Sequence, residues 1–562
     1  MLLILLSWIY IFITSLNFGI LFKKIVRIKD CHIVIHHVLG LFLYTIFTSI
    51  AAFFIRINIE FYVAVLIINL LVFFTNRASF LSNIKSYSNL IKKLRPFYKT
   101  IFIILFIITL AQSATKPYLL DNESYYIQTI KWINEYGYVK GLANLHLFFA
   151  QNSAWHTLQA GFNFSFLSGL FNDLNGYFFV LISLLAIEKI NNYKSNLDLQ
   201  SLSFGLILLF TLFFMQFINA PSPDLFVFTL TPYVFYLFIT NFKTIESDTF
   251  KVILSLVLFL CFVKVTTAIL VGLILILFFK RFQSLKKHWF NYSLLCSVVF
   301  IVFLSKNILI SGYLLFPIDA IDLFNFDWKQ PKALIEFYNY GTYLAGFDNK
   351  DVSQLTILER FWFWLTISKL HGFFNKLFIL LLIIYPWFIY KSNNKSSLSI
   401  IYILAVLQFI ILWNSSPQYR FFFVFIMFFS IQVFISIFKK KKLISFFIAG
   451  SIFLSAIPIF FEVNLNAVTK NPFAMILSTF NSKNILIPEG ISKTITAFSK
   501  ENINGFEFNS PSDDTFFWAT GNGNLPCVNK QQIEFIKNSY NYIPQLRTAN
   551  LKDGFKSIKI EE

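Results

Sequence analysis

Runs of apolar residues alternate along the chain with short polar joints. A helix needs roughly 20 mostly apolar residues to cross the hydrocarbon core of a bilayer, and only helices and closed barrels satisfy their backbone groups there. Runs near residues 1–22, 34–55, 60–75, 100–116, 175–190, 201–219, 224–242, 250–263, 266–280, 289–310, 372–391, 397–413, 420–437 and 443–461 predict about fourteen spans. The strict alternation expected of barrel strands is missing. The stretch 250–280 reads either as two short crossings or as one long helix. Met1 to Phe22 has neither the basic start nor the small-residue cleavage site of a signal peptide, and reads as a retained first span.

Basic clusters test how these spans are threaded. Lys23, Lys24, Arg27 and Lys29 follow the first; Lys92, Lys93, Arg95 and Lys99 precede the fourth; Lys280, Arg281, Lys286 and Lys287 precede the tenth; Lys439 to Lys442 precede the last. Counting crossings puts all four on one side, which the bias of cytoplasmic loops toward Lys and Arg makes the cytoplasm. That count closes only if 250–280 crosses twice, with Lys264 at the outer turn. The expected organisation is then spans over 1–116, an outer loop with interfacial helices over 117–172, a membrane core over 173–310, a large outer loop over 311–360, spans over 361–461 and an extracytoplasmic tail over 462–562, with both termini outside.

Composition agrees: of 562 residues, 57% are hydrophobic and only 13% charged, where soluble domains carry about 25% charged residues. The net charge of +19 is explained by the basic loops and calls for no nucleic-acid partner. Cys31, Cys261, Cys296 and Cys527 are scattered, without the spacing of a disulfide framework or a zinc site. The tail mixes polar residues with turn formers, as in Ile487-Pro488-Glu489-Gly490 and Gly521-Asn522-Gly523-Asn524, and suggests a small α+β cap. No internal repeat marks a transporter built from two halves.

Candidate chemistry concentrates in the pieces predicted outside. From Ser124 to Tyr136 apolar residues recur at helical spacing, predicting an amphipathic helix in the outer interface. Asp121 stands where the fourth span emerges and this helix begins; the plain alternative is that Asp121 or Asn122 only caps the helix. Lys264 interrupts an apolar run, and an ionisable residue there is either functional or snorkels to the interface. Arg420, in Pro417-Gln418-Tyr419-Arg420-Phe421, starts a span on the outer side; its planar fork suits phosphate, and an interfacial anchor is the alternative. Ser305-Lys306-Asn307 and the loop residues Tyr313, Asp327 and Trp328 prove nothing singly, and Asp224 after Pro221-Ser222-Pro223 reads first as a helix start. No P-loop, dinucleotide fingerprint, catalytic triad or HExxH is present.

Taken together, an acidic residue in a long first outer loop, many spans, cations at outer helix ends and an outer C-terminal region resemble the GT-C superfamily of membrane glycosyltransferases. A closer likeness is to an uncharacterised group of bacterial multi-pass membrane proteins. It rests on Asp121 with Tyr125, Gly141 to His146 (including Asn144), Asn152 to Trp155, Ser311 to Tyr313, Asp327 to Lys329 (including Trp328) and Pro417 to Phe421, and runs on to Asp553-Gly554-Phe555. Four spans are predicted ahead of the acidic loop where the superfamily usually has one; its acidic pair is represented by Asp121 and Glu123; and Tyr126 stands where the closer group commonly has His.

The resemblance implies an all-α polytopic bundle of 12–14 spans with interfacial helices and a small α+β tail, placed in the bacterial inner membrane. It implies an inverting transferase moving a sugar from a polyprenyl-phosphate donor to a glycan or lipid acceptor. Asp121 would be the general base, Lys264 and Arg420 would hold the lipid phosphate, and Glu123, Tyr125, Asn144, His146, Asn152, Trp155, Asp224, Tyr313, Asp327 and Trp328 would shape the pocket. A requirement for a divalent cation is left open, as are two other readings: a polysaccharide polymerase, and a transporter of lipid-linked glycans.

Overall fold

Each of the fourteen apolar stretches forms helix in the computed structural model, which describes residues 1–560 apart from 118, 152, 170–171, 194–198, 470–478, 494–496 and 513–514. The helices are α1 (Leu2–Val26), α2 (Ile33–Ala51), α3 (Ile59–Thr75), α4 (Arg77–Lys93), α5 (Pro96–Ser113), α6 (Ile127–Tyr136), α7 (Ala154–Ala160), α8 (Leu174–Asn192), α9 (Leu199–Phe217), α10 (Pro223–Asn241), α11 (Ser247–Val263) and α12 (Val265–Lys280). They continue as α13 (Phe282–Ser311), α14 (Lys332–Ala345), α15 (Ile357–Thr366), α16 (Lys369–Lys391), α17 (Lys395–Trp413), α18 (Phe423–Ile437), α19 (Lys441–Phe460) and α20 (Lys530–Tyr540).

Among the described residues, ten helices are long and apolar enough to cross a membrane: α1, α2, α5, α8, α9, α10, α13, α16, α17 and α19. This is fewer than the sequence suggests, because the stretches at 60–75, 250–263, 266–280 and 420–437 lie in helices of 17 residues or fewer. The first of these, α3, turns through 91° into α4. The stretch 250–280 folds back on itself. Val263 ends α11, Lys264 is extended, and Phe278 near the end of α12 meets Phe250 near the start of α11, ring to ring at 6.1 Å. It is a helical hairpin with Lys264 at its apex.

Packing follows from which faces are apolar all round. α2, α8 and α10 are mostly buried, whereas α13 and α19 leave most of their apolar surface uncovered, as a lipid-facing helix does. α1 and α2 cross closely because Gly40 has no side chain: a Cβ there would fall 1.8 Å from the Ser15 carbonyl oxygen. Small residues at such crossings let helix backbones approach in the membrane, where packing rather than the hydrophobic effect drives association.

The molecule has two distinct ends. At one, the four basic clusters lie together. Lys251 donates to the Arg27 carbonyl at 2.6 Å, the Lys29 amide to Asp248 at 2.9 Å, Arg281 to the Lys243 carbonyl, and Lys441 to the Asn191 carbonyl at 2.9 Å, with the Arg95 amide on the Asn191 side chain at 3.0 Å. At the other, the loop after α5 meets the tail. Two antiparallel hairpins make up the tail's sheets, β1 (Phe498–Ile503) with β2 (Phe506–Pro511) and β3 (Tyr542–Leu546) with β4 (Phe555–Lys559).

One expectation is corrected here. α6 does not lie open in an interface; Ile127 to Ile130 and Trp132 to Asn134 are buried. The Gly521 to Asn524 turn covers it, accepting bonds from Gln128 and Lys131 on the carbonyls of Gly521 and Gly523, and Phe555 packs edge-on against Trp132 at 5.6 Å.

Candidate functional site

Four charged side chains from four separate segments meet at the tail end of the molecule. Asp121 begins a π-helical turn, Asn122–Tyr126, that leads into α6, and its side chain caps nothing. Such wide turns are uncommon and occur often at functional sites. Asn122 anchors the turn by donating to the Ile491 carbonyl at 2.9 Å, which leaves Asp121 partly exposed. Asp224 lies in the first turn of α10, behind a Ser222 cap, where the helix dipole favours a carboxylate. Lys264 is the apex of the α11–α12 hairpin. Arg420 belongs to a single 3-10 turn, Tyr419–Phe421, between α17 and α18.

Buried amides and hydroxyls hold these segments in register. Gln408 of α17 donates to the Thr266 carbonyl at 2.9 Å and to the Phe421 carbonyl at 3.1 Å, tying the Lys264 apex to the Arg420 turn. Ser153, which caps α7, donates to the Val263 carbonyl at 2.5 Å. Asn175 donates to the carbonyls of Phe217 and Ser222 at 2.7 and 2.9 Å and accepts from Trp155 at 2.6 Å, fixing the joint before Asp224.

The result is two ion pairs at different depths. Arg420 Nη1 donates to Asp121 Oδ2 at 2.9 Å, and these side chains are 37% and 31% exposed. Lys264 donates to Asp224 Oδ1, with 16% and 6% exposed. Both cations sit near the Phe421 ring, 4.9 and 5.0 Å from its centroid, which bounds their separation at about 10 Å. Burial works against the Arg420 charge, but Asp121 and then Asp224 outweigh it and raise the guanidinium above its ordinary value. Burial pulls Lys264 down, opposed by Asp224 and reinforced by Arg420. Arg420 Nε is buried and has no acceptor among the described residues, the kind of unmatched donor that native structures seldom tolerate.

Aromatic and basic groups line the inner wall. The Tyr126 hydroxyl faces Asp121 Oδ2 at 3.5 Å, Tyr125 donates to Gln151 at 3.2 Å, and the His156 ring lies 4.6 Å from that of Tyr126. Burial first, then the charge of Lys306, pushes His156 down to about 3, so it is neutral. Burial, with Asp121 next, raises Tyr126 well above the ordinary phenol range. An apolar crevice lined by Phe228, Leu270, Val424 and Phe425 adjoins the two cations; it holds about 10 Å³ of free space, room for one water.

Of the residues singled out in the sequence, Asp121, Tyr125, Asp224, Lys264 and Arg420 come together here. The others do not. Glu123 is buried and accepts from Ser492 Oγ at 2.6 Å and the Lys493 amide at 2.9 Å, while its carbonyl takes the Thr520 and Gly521 amides; it clasps the tail. Asn144 is fully used by the Gly141 and Trp328 carbonyls and Ser557. Asp327 pairs with Arg547 at 2.7 and 3.2 Å, and the same guanidinium covers Trp328. His146 is packed against Phe149 and Trp518, Tyr313 donates to the Gln330 carbonyl, and Trp155 is core. Asn152 lies outside the described residues. Tyr126, His156 and Lys306 went unassigned in the sequence reading; Lys306 within a span was the signal that could have raised it.

No three His, Cys, Asp or Glu side chains among the described residues are placed to hold a metal ion. Asp121 and Asp224 each already face a cationic side chain, a poor start for a cation cage.

A bundle of about ten apolar helices with charged side chains gathered at one end defines a multi-pass membrane protein. The chain belongs to the family described as Domain of unknown function (DUF8201), whose model matches residues 1–427. No curated protein and no solved structure matches it.

Proposed function

We propose that the protein is a membrane glycosyltransferase that moves a sugar from a polyprenyl-phosphate donor to a hydroxyl acceptor at the outer membrane surface. The observation that carries this reading is the convergence of two carboxylate–cation pairs beside an apolar crevice, with the Nε donor of Arg420 unmatched. A lipid phosphate needs such cations near hydrocarbon, and Arg matches it with a planar fork.

The resting pairs suggest how the site is armed. A phosphate entering beside Arg420 and Lys264 replaces carboxylate oxygens with its own, and Asp121 is released from its ion pair. Asp121 then takes the proton of the acceptor hydroxyl as that oxygen attacks the anomeric carbon. The bond from the anomeric carbon to the phosphate oxygen breaks in the same displacement, with inversion, and its electron pair goes to the phosphate. Arg420 and Lys264 stabilise the charge gained there. The crevice has room for no more than about one water, so donor entry requires the walls from α10 and α18 to part. Among the described residues no three His, Cys, Asp or Glu side chains are placed to cage a divalent cation.

Purified full-length protein given labelled polyprenyl-phosphate sugars should release polyprenyl phosphate and glycosylate an acceptor. Asp121→Asn should lower turnover by at least a hundredfold while expression and donor binding persist. Glycan crossing the membrane with no new bond, or an Asp121→Asn protein of normal turnover, sinks the proposal.

A further inference from the structure

A wide basic groove lies at the opposite end from Asp121, and nothing in the proposed reaction uses it. It is open, holds about 1000 Å³ and is bordered by the end of α1, the start of α2, the end of α8 and one face of α4. Five basic side chains line it, Lys23, Lys24, Arg27, Lys29 and Lys93, against two acidic ones, Asp30 and Glu188. Glu188 is already engaged, 2.7 Å from His32 Nε2, and His32 Nδ1 accepts the Val34 amide at 3.2 Å.

Basic loops of a membrane protein need not line a groove; the bias toward Lys and Arg is satisfied by side chains in open water. Here α4 makes the difference. Its 91° turn from α3 lays it across the ends of the spans. Ser79, Ser82, Asn83, Ser86, Asn89 and Lys93, at helical spacing, line the groove, while Leu81, Ile84 and Ile91 are exposed on other faces. The polar side of this in-plane helix borders a cationic groove with hydroxyls and amides, most of which stay exposed to solvent. The exposed Leu70, Leu71 and Phe74 at the adjoining end of α3 supply an apolar surface next to its edge.

We propose that this groove binds the phosphate-bearing head group of an anionic lipid, at the membrane surface opposite the Asp121 site. Lysines and Arg27 match the phosphate charge, the serine and asparagine side chains supply neutral donors, and the alkyl chains lie along α3 and the apolar side of α4. Basic pockets between spans recognise lipid phosphates in this way. The proposal is independent of the sugar-transfer reading, since it concerns the other end of the molecule.

The test uses the full chain in phosphatidylcholine nanodiscs, with bound phosphatidylglycerol measured by native mass spectrometry. Arg27→Ala with Lys93→Ala should weaken binding at least tenfold. Lys85→Ala with Lys92→Ala removes the same charge from α4 outside the groove lining and should leave it within twofold. Because loss of basic residues could disturb insertion, Ser82→Leu with Ser86→Leu fills the groove at constant charge and should also weaken binding tenfold. Competition by inorganic pyrophosphate would identify a soluble phosphate compound as an equal occupant; retention of phosphatidylglycerol against excess pyrophosphate identifies the lipid. Equal losses in the two charge-removal variants, or full binding with Ser82 and Ser86 replaced, would overturn the proposal.

Discussion

At the scale of single residues, the chain holds ionisable groups where burial makes their charge costly. Asp173, just before α8, shows the cost most clearly. It is fully buried, takes a 3.4 Å bond from Gln159, and burial pushes its carboxyl up to about 6. A carboxyl whose folded value exceeds its unfolded one binds an extra proton in the native state between the two values, so native stability falls as pH rises through that window. The buried neutral His146 and His156 act in the opposite sense, so the comparison is with the parent: between pH 5 and pH 7.5 detergent-solubilised Asp173→Asn should gain about 1 kcal/mol relative to it, about 1 °C in melting temperature. An unchanged pH slope in the variant would show that another group is responsible. Asp121, Lys264 and Arg420 were legible from sequence because each is an ionisable group at the edge of an apolar run. Glu123 and Asn144 were misread as pocket residues because their partners, Ser492 and Ser557, stand 369 and 413 positions away. No local pattern reports such a distance.

Among elements, helices were legible and their surroundings less so. Apolar runs located every stretch, yet four of them form helices too short to span by length alone, since the run ends where a joint must turn. The Lys264 hairpin followed from counting basic clusters, a constraint on the whole thread rather than on the stretch itself. The burial of α6 could not be read from its periodicity, because the cover is supplied by the tail. That docking has a sensitive point at Gly554. Its φ is +90°, and a Cβ would fall 2.0 Å from the Lys140 carbonyl oxygen, which also accepts the Phe555 amide at 3.0 Å. Gly554→Ala should strain the backbone by about 1–3 kcal/mol and release the β3–β4 hairpin. Limited proteolysis should then cut the tail at least tenfold faster than in the parent; equal rates would mean that β4 holds without this contact.

For the whole molecule, the two ends carry different chemistry, one rich in basic side chains and the other in carboxylate–cation pairs and docked tail. The bias toward cytoplasmic Lys and Arg gives this polarity a direction. With the four native cysteines replaced by serine, Glu336→Cys should react with a membrane-impermeant maleimide on intact cells, and Lys92→Cys only after lysis. Labelling of both from the same side would contradict the threading.

The clasp at Glu123 also has a consequence in time. Its partners are translated 369 residues later, about 20–70 s at ordinary elongation rates. Throughout that interval the segment carrying Asp121 is already made but lacks its cover, so a nascent chain stalled before Ser492 should be unusually open to proteases on that surface, and the site closes only after the last long apolar helix, α19, has been made.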